Sequence, residues 1–176
     1  MNRRNAVKLL AVALAGATLG HWSIGYGAVK KLTENSNFDP DEQDLITAIA
    51  DTIIPKQALY SALDLGVPVY LLAYFSKCIE PDVQQNIKLQ LKALNTSAIN
   101  LFELDFTHCP PNQRERLLLT FAESEIEGER VFFELIKAQT IQGFRTTREV
   151  MTNCYHYRVV PGLYKGCMDV NEPSIT

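Results

Sequence analysis

Three residues near the C-terminus, Cys154, His156 and Cys167, have the types that could coordinate a metal ion. Thiolate and imidazole groups are preferred ligands of zinc in proteins. The spacing is loose and no second ligand pair is evident, although Cys109 and its neighbour His108 are further candidates. These residues leave open an independent metal-binding protein or enzyme of the cell envelope that uses Cys154, His156 and Cys167.

The same cysteines support a disulfide more strongly than a metal site. The chain has four cysteines, an even number, which allows two internal bridges in an oxidising compartment. It equally allows one internal bridge and a thiol left for a partner chain. Cys154 and Cys167 are the candidate disulfide residues, and the sequence does not choose between an internal and an intermolecular bond.

Other catalytic arrangements are weaker. His108 and Cys109 are adjacent, and neighbouring side chains in a helix or turn usually point apart, which disfavours a nucleophilic pair. The alternate carboxylates between Glu123 and Glu129 are typical of a solvated helix edge. The chain has no glycine-rich phosphate loop, dinucleotide fingerprint or zinc-protease motif. The sequence therefore predicts no catalytic residue and no cofactor in this chain.

The N-terminus has the pattern of a twin-arginine export leader. Arg3 and Arg4 precede an uncharged apolar run from Leu9 to Leu19. The corresponding route carries proteins that have already folded, so either a cofactor lies in this chain or the chain escorts a partner that holds one. We predict a leader over residues 1–27, a polar linker over 28–38 and one domain over 39–176.

Charge argues against nucleic acid as a partner. Without Arg3, Arg4 and Lys8, the 17 basic residues fall to 14 against 20 acidic ones, which gives a net charge of −6. Phosphate binding needs a clustered positive surface, and no run of four basic residues follows the leader.

Helical periodicity accounts for the chain after the linker. Asp39 can cap a helix, Pro40 suits its first turn, and Glu42 completes a capping box. No strand pattern of period two and no internal repeat is present. The sequence therefore predicts an all-α domain of about five or six helices with an irregular C-terminal tail. The predicted helices cover residues 40–54, 68 to about 80, 81 to about 106, a segment around 117–121, 131–143, and 146 to about 154.

Two further expectations concern side chains in these helices. The apolar stripe of the third helix includes Leu89, Leu101 and Leu104, so these leucines are expected to face the core. Gly143 follows the last periodic residue of the fifth helix and is expected to end that helix as a C-terminal cap.

The tail after residue 154 is rich in large amphipathic side chains set between turn-forming residues. Such a segment is costly to leave in water, so it is expected to cover either its own helical bundle or a partner. Partner contact is slightly favoured. The candidate interface residues are Tyr155, Tyr157, Pro161, Leu163 and Tyr164.

Four segments carry a resemblance to a known family. They are Asp51–Pro55, Phe132–Ile136, Thr140–Phe144 and Val160–Cys167. Together with the leader, they resemble the gluconate 2-dehydrogenase subunit 3 family, and the similarity extends from about Phe38 to Cys167.

This resemblance implies a small, non-catalytic subunit of a sugar or polyol dehydrogenase. The expected partner is a large subunit of the glucose-methanol-choline oxidoreductase type that binds FAD, and a multihaem cytochrome often completes such complexes. The small subunit would carry the leader for both chains and be read by the twin-arginine translocase. The complex would be periplasmic and held at the inner membrane by its assembly or by an uncleaved leader. Cys154 or Cys167 could then link the two subunits covalently.

Overall fold

The computed structural model describes residues 36–56 and 59–158, and within them it contains helices and no strands. The predicted leader, most of the linker and the tail from residue 159 lie outside the described residues. The all-α prediction is confirmed. The six α-helices are α1 (Pro40–Ile53), α2 (Val67–Lys77), α3 (Pro81–Phe102), α4 (Pro111–Ala122), α5 (Glu127–Arg145) and α6 (Arg148–Asn153), with a 3-10 helix at Phe106–His108 between α3 and α4.

Two helices form the centre of the bundle. Helix α1 contacts α2, α3, α4 and α5. Helix α5 contacts each of the other five helices. Leu45, Ile46 and Ile49, which recur at helical spacing in α1, are buried, whereas Ile53 at the end of the helix is half-buried. None of the described helices has the length and hydropathy required to cross a membrane. The largest fully buried side chains of the core are Phe75, Phe106, Phe132, Ile46, Ile49, Leu71, Ile87, Leu91, Leu94, Leu117, Ile136 and Val67.

The start of α1 is the predicted capping box. The backbone N–H of Asp39 donates to Glu42 Oε2 at 3.1 Å. Glu42 is buried, and Lys88 of α3 brings its ammonium nitrogen to 3.7 Å from the same carboxylate oxygen. Glu42, which helps to start α1, therefore also links α1 to α3 through its ion pair with Lys88. The pairing matters because a buried carboxylate is costly without a charged partner.

Helix α3 ends earlier than predicted. It stops at Phe102 because Glu103 adopts a left-handed backbone conformation, with φ at +57°. The chain then turns back so that the backbone N–H of Phe106 donates to Asn95 Oδ1 at 2.9 Å. Three leucines expected in the buried stripe are instead exposed, namely Leu89, Leu101 and Leu104.

Gly143 is not the C-terminal cap of α5, and that prediction is wrong. The helix continues to Arg145, and Gly143 lies buried inside it. A methyl group at this position would lie 2.5 Å from Cδ1 of Tyr70. The glycine is required by the close approach of the Tyr70 ring, which lets α2 pack directly on the backbone of α5.

Candidate partner-binding surface

The described part of the predicted interface lies on the surface just after α6. Tyr155 and Tyr157 are each 53% exposed. The guanidinium carbon of Arg145 lies 5.6 Å from the ring centroid of Tyr155, which is within cation–π range. Asn153 at the end of α6 donates to the hydroxyl of Tyr60 at 2.9 Å. The first contact holds Tyr155 at the C-terminal end of α5, and the second fixes the end of α6 just before the exposed tyrosines.

Several predicted site residues cannot be placed. The disulfide Cys154–Cys167 and the metal set Cys154, His156 and Cys167 each need a residue outside the described part of the chain. Cys154 and His156 are both exposed, and no group of three metal-binding side chains occurs within residues 36–56 and 59–158. The predicted residues that lie outside the described ranges are Arg3, Arg4, Pro161, Leu163, Tyr164 and Cys167.

Cys109 is part of the buried core rather than of an accessible site. It is buried beside the 3-10 helix, and its thiol lies 3.9 Å from the carbonyl oxygen of Leu104. Burial raises the pKa of the Cys109 thiol, and the nearby Arg114 opposes this only in part. His108 is exposed, so the adjacent pair does not have the geometry of an activated nucleophile.

The three described cysteines should therefore differ in reactivity. In fully reduced native protein we expect iodoacetamide to modify Cys78 and Cys154, which are exposed, and to modify Cys109 at least about tenfold more slowly, because the reactive thiolate is disfavoured by burial. Peptide mass mapping after timed alkylation measures each site separately. Unfolding in urea should equalise the three rates. Equal rates in the native protein would contradict the buried position of Cys109.

Asp51, the first residue of the segment Asp51–Pro55 noted in the sequence, takes part in a junction of three elements. Asp51 at the end of α1 forms an ion pair with Arg114 of α4, with 3.5 Å between Oδ2 and Nη1. Arg114 also donates from Nη2 to the carbonyl oxygen of Thr107 at 2.7 Å. One guanidinium group thus connects the end of α1, the start of α4 and the 3-10 helix.

An apolar groove opens beside this junction, with a volume of about 200 Å³. We call it the α1–α4–α5 groove. Its floor and walls come from the end of α1, the middle of α4 and the first half of α5. Leu119 on one wall is 50% exposed, whereas the underlying Leu118 is buried. The residues that line it are Thr52, Ile53, Glu115, Leu118, Leu119, Phe133 and Lys137.

Sequence reasoning did not predict this groove, although one signal was present. Leu117, Leu118 and Leu119 are consecutive in a helix. Successive helical side chains are about 100° apart, so three in a row cannot all face one core. The core buries the first two and leaves the third on the surface. The pair Phe132 and Phe133 behaves in the same way, with the first buried and the second half-buried in the groove.

A second cleft, of about 270 Å³, is polar and acidic. It lies between the start of α1 and the 3-10 helix, and its lining includes Asp41, Asp44 and Asp105. His108 lies at its edge, with 4.0 Å between its Nδ1 and Asp105 Oδ2. The carboxylates are solvated, and none of the polar or charged residues that line this cleft is buried in the way that would mark a binding site.

Comparison with known protein families gives one match. The family model described as gluconate 2-dehydrogenase subunit 3 matches residues 40–162. The match contains all six helices and the α1–α4–α5 groove. No curated protein and no solved structure gave a significant match.

Proposed function

Because the chain belongs to the gluconate 2-dehydrogenase subunit 3 family, we propose that it is a non-catalytic subunit that escorts and stabilises a large FAD-dependent sugar or polyol dehydrogenase during folded export to the periplasm. The family description refers to one subunit of a multi-subunit dehydrogenase. The match over residues 40–162 is the observation that carries this proposal, because it spans the whole described bundle rather than one short motif.

The chemistry of the described residues supports an accessory role. The Cys109 thiol is buried with a raised pKa, and the neighbouring His108 is exposed. The larger of the two clefts described above is lined by solvated carboxylates and the other mainly by apolar side chains. An apolar groove without convergent polar groups is suited to binding another protein rather than to catalysis.

The export role rests on the sequence of the leader. Arg3 and Arg4 would be bound by the twin-arginine translocase, and the FAD would be carried by the large glucose-methanol-choline-type subunit. Folded export suits such a pair, because a flavin must be inserted before the protein crosses the membrane. The complex would stay at the inner membrane through its assembly, with a multihaem cytochrome as a further subunit, or through an uncleaved leader.

Purification of the tagged chain from native envelope extract tests this proposal. We expect one large chain to co-purify in stoichiometric amount, to be identified by mass spectrometry as a glucose-methanol-choline-type oxidoreductase, and to show a flavin absorption spectrum. A solitary colourless chain would contradict the proposal. Stoichiometric zinc in that solitary chain would favour the alternative of an independent envelope metal protein that uses Cys154, His156 and Cys167.

A further inference from the structure

The α1–α4–α5 groove is exposed apolar surface that the core does not use. Leu118, which lines the groove, is buried, and buried Phe121 and Phe132 already close the contact between α4 and α5. The rings of Phe121 and Phe132 meet edge to face, with 6.3 Å between their centroids. Above this layer, Leu119 keeps half of its surface in water. Its exposure has no role in holding the bundle together.

The groove is too small and too apolar for a typical small-molecule site. Pockets that bind such ligands usually have volumes of about 300–1,000 Å³ and several convergent polar groups. This groove has a volume of about 200 Å³, and only three of its lining residues are polar or charged, namely Thr52, Glu115 and Lys137. Its dimensions match a pocket that receives one or two apolar side chains at the centre of a protein interface.

Opposite charges lie on its two sides. Glu115 projects from α4 and Lys137 from α5, and both residues are exposed. Neither forms a salt bridge with another residue of the described part of the chain. The ammonium group of Lys137 lies 5.5 Å from the ring centroid of Phe133, so the cation stays next to the apolar floor. A partner of complementary charge would place a basic group on the α4 side and an acidic group on the α5 side.

The groove is continuous with the exposed tyrosines after α6. Phe133, Lys137, Ile141 and Arg145 lie on successive turns of α5 and form one i+4 ridge. Ile141 is 38% exposed, and Arg145 contacts the ring of Tyr155. The ridge thus joins two exposed apolar areas into one surface. A single partner that covered this surface would bury a larger area than the groove alone offers. A stable interface buries about 800 Å² on each partner.

We propose that the α1–α4–α5 groove, with the α5 ridge that leads to Tyr155, is the surface on which this chain binds its large dehydrogenase subunit. The occupant is one or two apolar side chains of that subunit, with a basic residue opposite Glu115 and an acidic residue opposite Lys137. This inference rests on the proposed function, since that function supplies the partner. It adds the location and the chemistry of the contact.

Substitution of Leu119 tests the apolar anchor. Leu119→Glu places a charge in the groove without disturbing the core, because the side chain is half exposed in the free chain. Leu89→Glu on α3 is the matched control, since Leu89 is 56% exposed and lies outside the groove. We expect Leu119→Glu to weaken capture of the identified flavoprotein at least about thirtyfold and Leu89→Glu to leave it unchanged. Both variants should keep the thermal midpoint of the parent chain, measured by circular dichroism.

Charge reversal tests the orientation of the partner. We expect Lys137→Glu and Glu115→Lys each to weaken capture about tenfold at low salt and less at high salt, because exposed charges are screened. Lys92→Glu on α3 is the control for Lys137→Glu, since Lys92 is also exposed and lies outside the groove. Equal losses from Lys92→Glu and Lys137→Glu would overturn the proposed charge pairing.

Photo-crosslinking identifies the occupant directly. The full chain carries p-benzoylphenylalanine at position 119 and is irradiated in native envelope extract. An adduct with a peptide of the flavoprotein supports the proposal. An adduct with residues 159–176 of the same chain, an adduct with a second copy, or no adduct while the flavoprotein is captured would overturn it. Failure of the unmodified chain to capture any flavoprotein would instead refute the proposed function, so the two failures are distinguishable.

Discussion

A chain in which lysine replaces both Arg3 and Arg4 is expected to stay in the cytoplasm together with its dehydrogenase subunit. The exchange retains both positive charges but removes the planar guanidinium groups, which present several donors in a fixed geometry. Export that depends on recognition of the arginine pair should therefore fall to background. Dehydrogenase activity and both polypeptides, measured in cytoplasmic and periplasmic fractions, should shift to the cytoplasmic fraction in equal proportion.

A conservative exchange outside the pair provides the control. Lys8→Arg exchanges lysine for arginine at another basic position of the predicted leader and should leave export unchanged. Continued export of the large subunit by the Arg3 and Arg4 double variant would contradict the escort role. Retention of the small chain alone, with the large subunit still exported, would show that the large subunit uses another route.

Alanine at Gly143 is expected to destabilise the fold by about 2 kcal/mol. The exchange gains up to about 1 kcal/mol of helix propensity. Against this, the new methyl group would lie 2.5 Å from Cδ1 and 2.9 Å from Cε1 of Tyr70. That ring cannot move freely, since its hydroxyl donates to Gln139 Oε1 at 3.0 Å and the ring stacks on Tyr74. Overpacking of this kind typically costs about 1–3 kcal/mol, and displacement of the ring would add the loss of a hydrogen bond. Urea unfolding followed by circular dichroism measures the free energy of unfolding.

Gly128 offers a matched control in the same helix. A methyl group there would lie 2.9 Å from Nε2 of Gln90, which is the end of a flexible side chain. Because that amide can swing away, Gly128→Ala should change the free energy of unfolding by no more than about 0.5 kcal/mol or stabilise the protein slightly. A neutral Gly143→Ala variant would refute the close packing of α2 on α5.

Much of the secondary structure follows from the sequence because its signals act over a few residues. The capping box at Asp39 and Glu42 starts α1 where predicted. Pro81 is the first residue of α3, as predicted, where a missing N–H costs nothing. Helix α4 begins at Pro111, earlier than the predicted segment around 117–121. The resemblance to the gluconate 2-dehydrogenase subunit 3 family is confirmed over residues 40–162.

The bounds and exposures that were wrong depend on contacts distant in sequence. Gly143 has the local appearance of a helix end, yet α5 continues to Arg145. The glycine instead leaves room for the ring of Tyr70, which lies on another helix. Leu101 and Leu104 keep the helical spacing of a core stripe, but both lie on the surface, Leu101 in the last turn of α3 and Leu104 beyond the end of the helix at Phe102. The spacing of apolar residues along one helix does not determine which of them another helix will cover.

The groove illustrates the same division. The sequence by itself determined that α4 and α5 are helices and that one of three consecutive leucines must face away from the core. Only the tertiary structure decided that this leucine is Leu119, and that it faces Phe133 and the end of α1 across an open groove. The reason is physical. Helix formation depends on neighbours within about one turn, whereas a surface between three helices depends on crossing angles and side-chain volumes that no single segment contains.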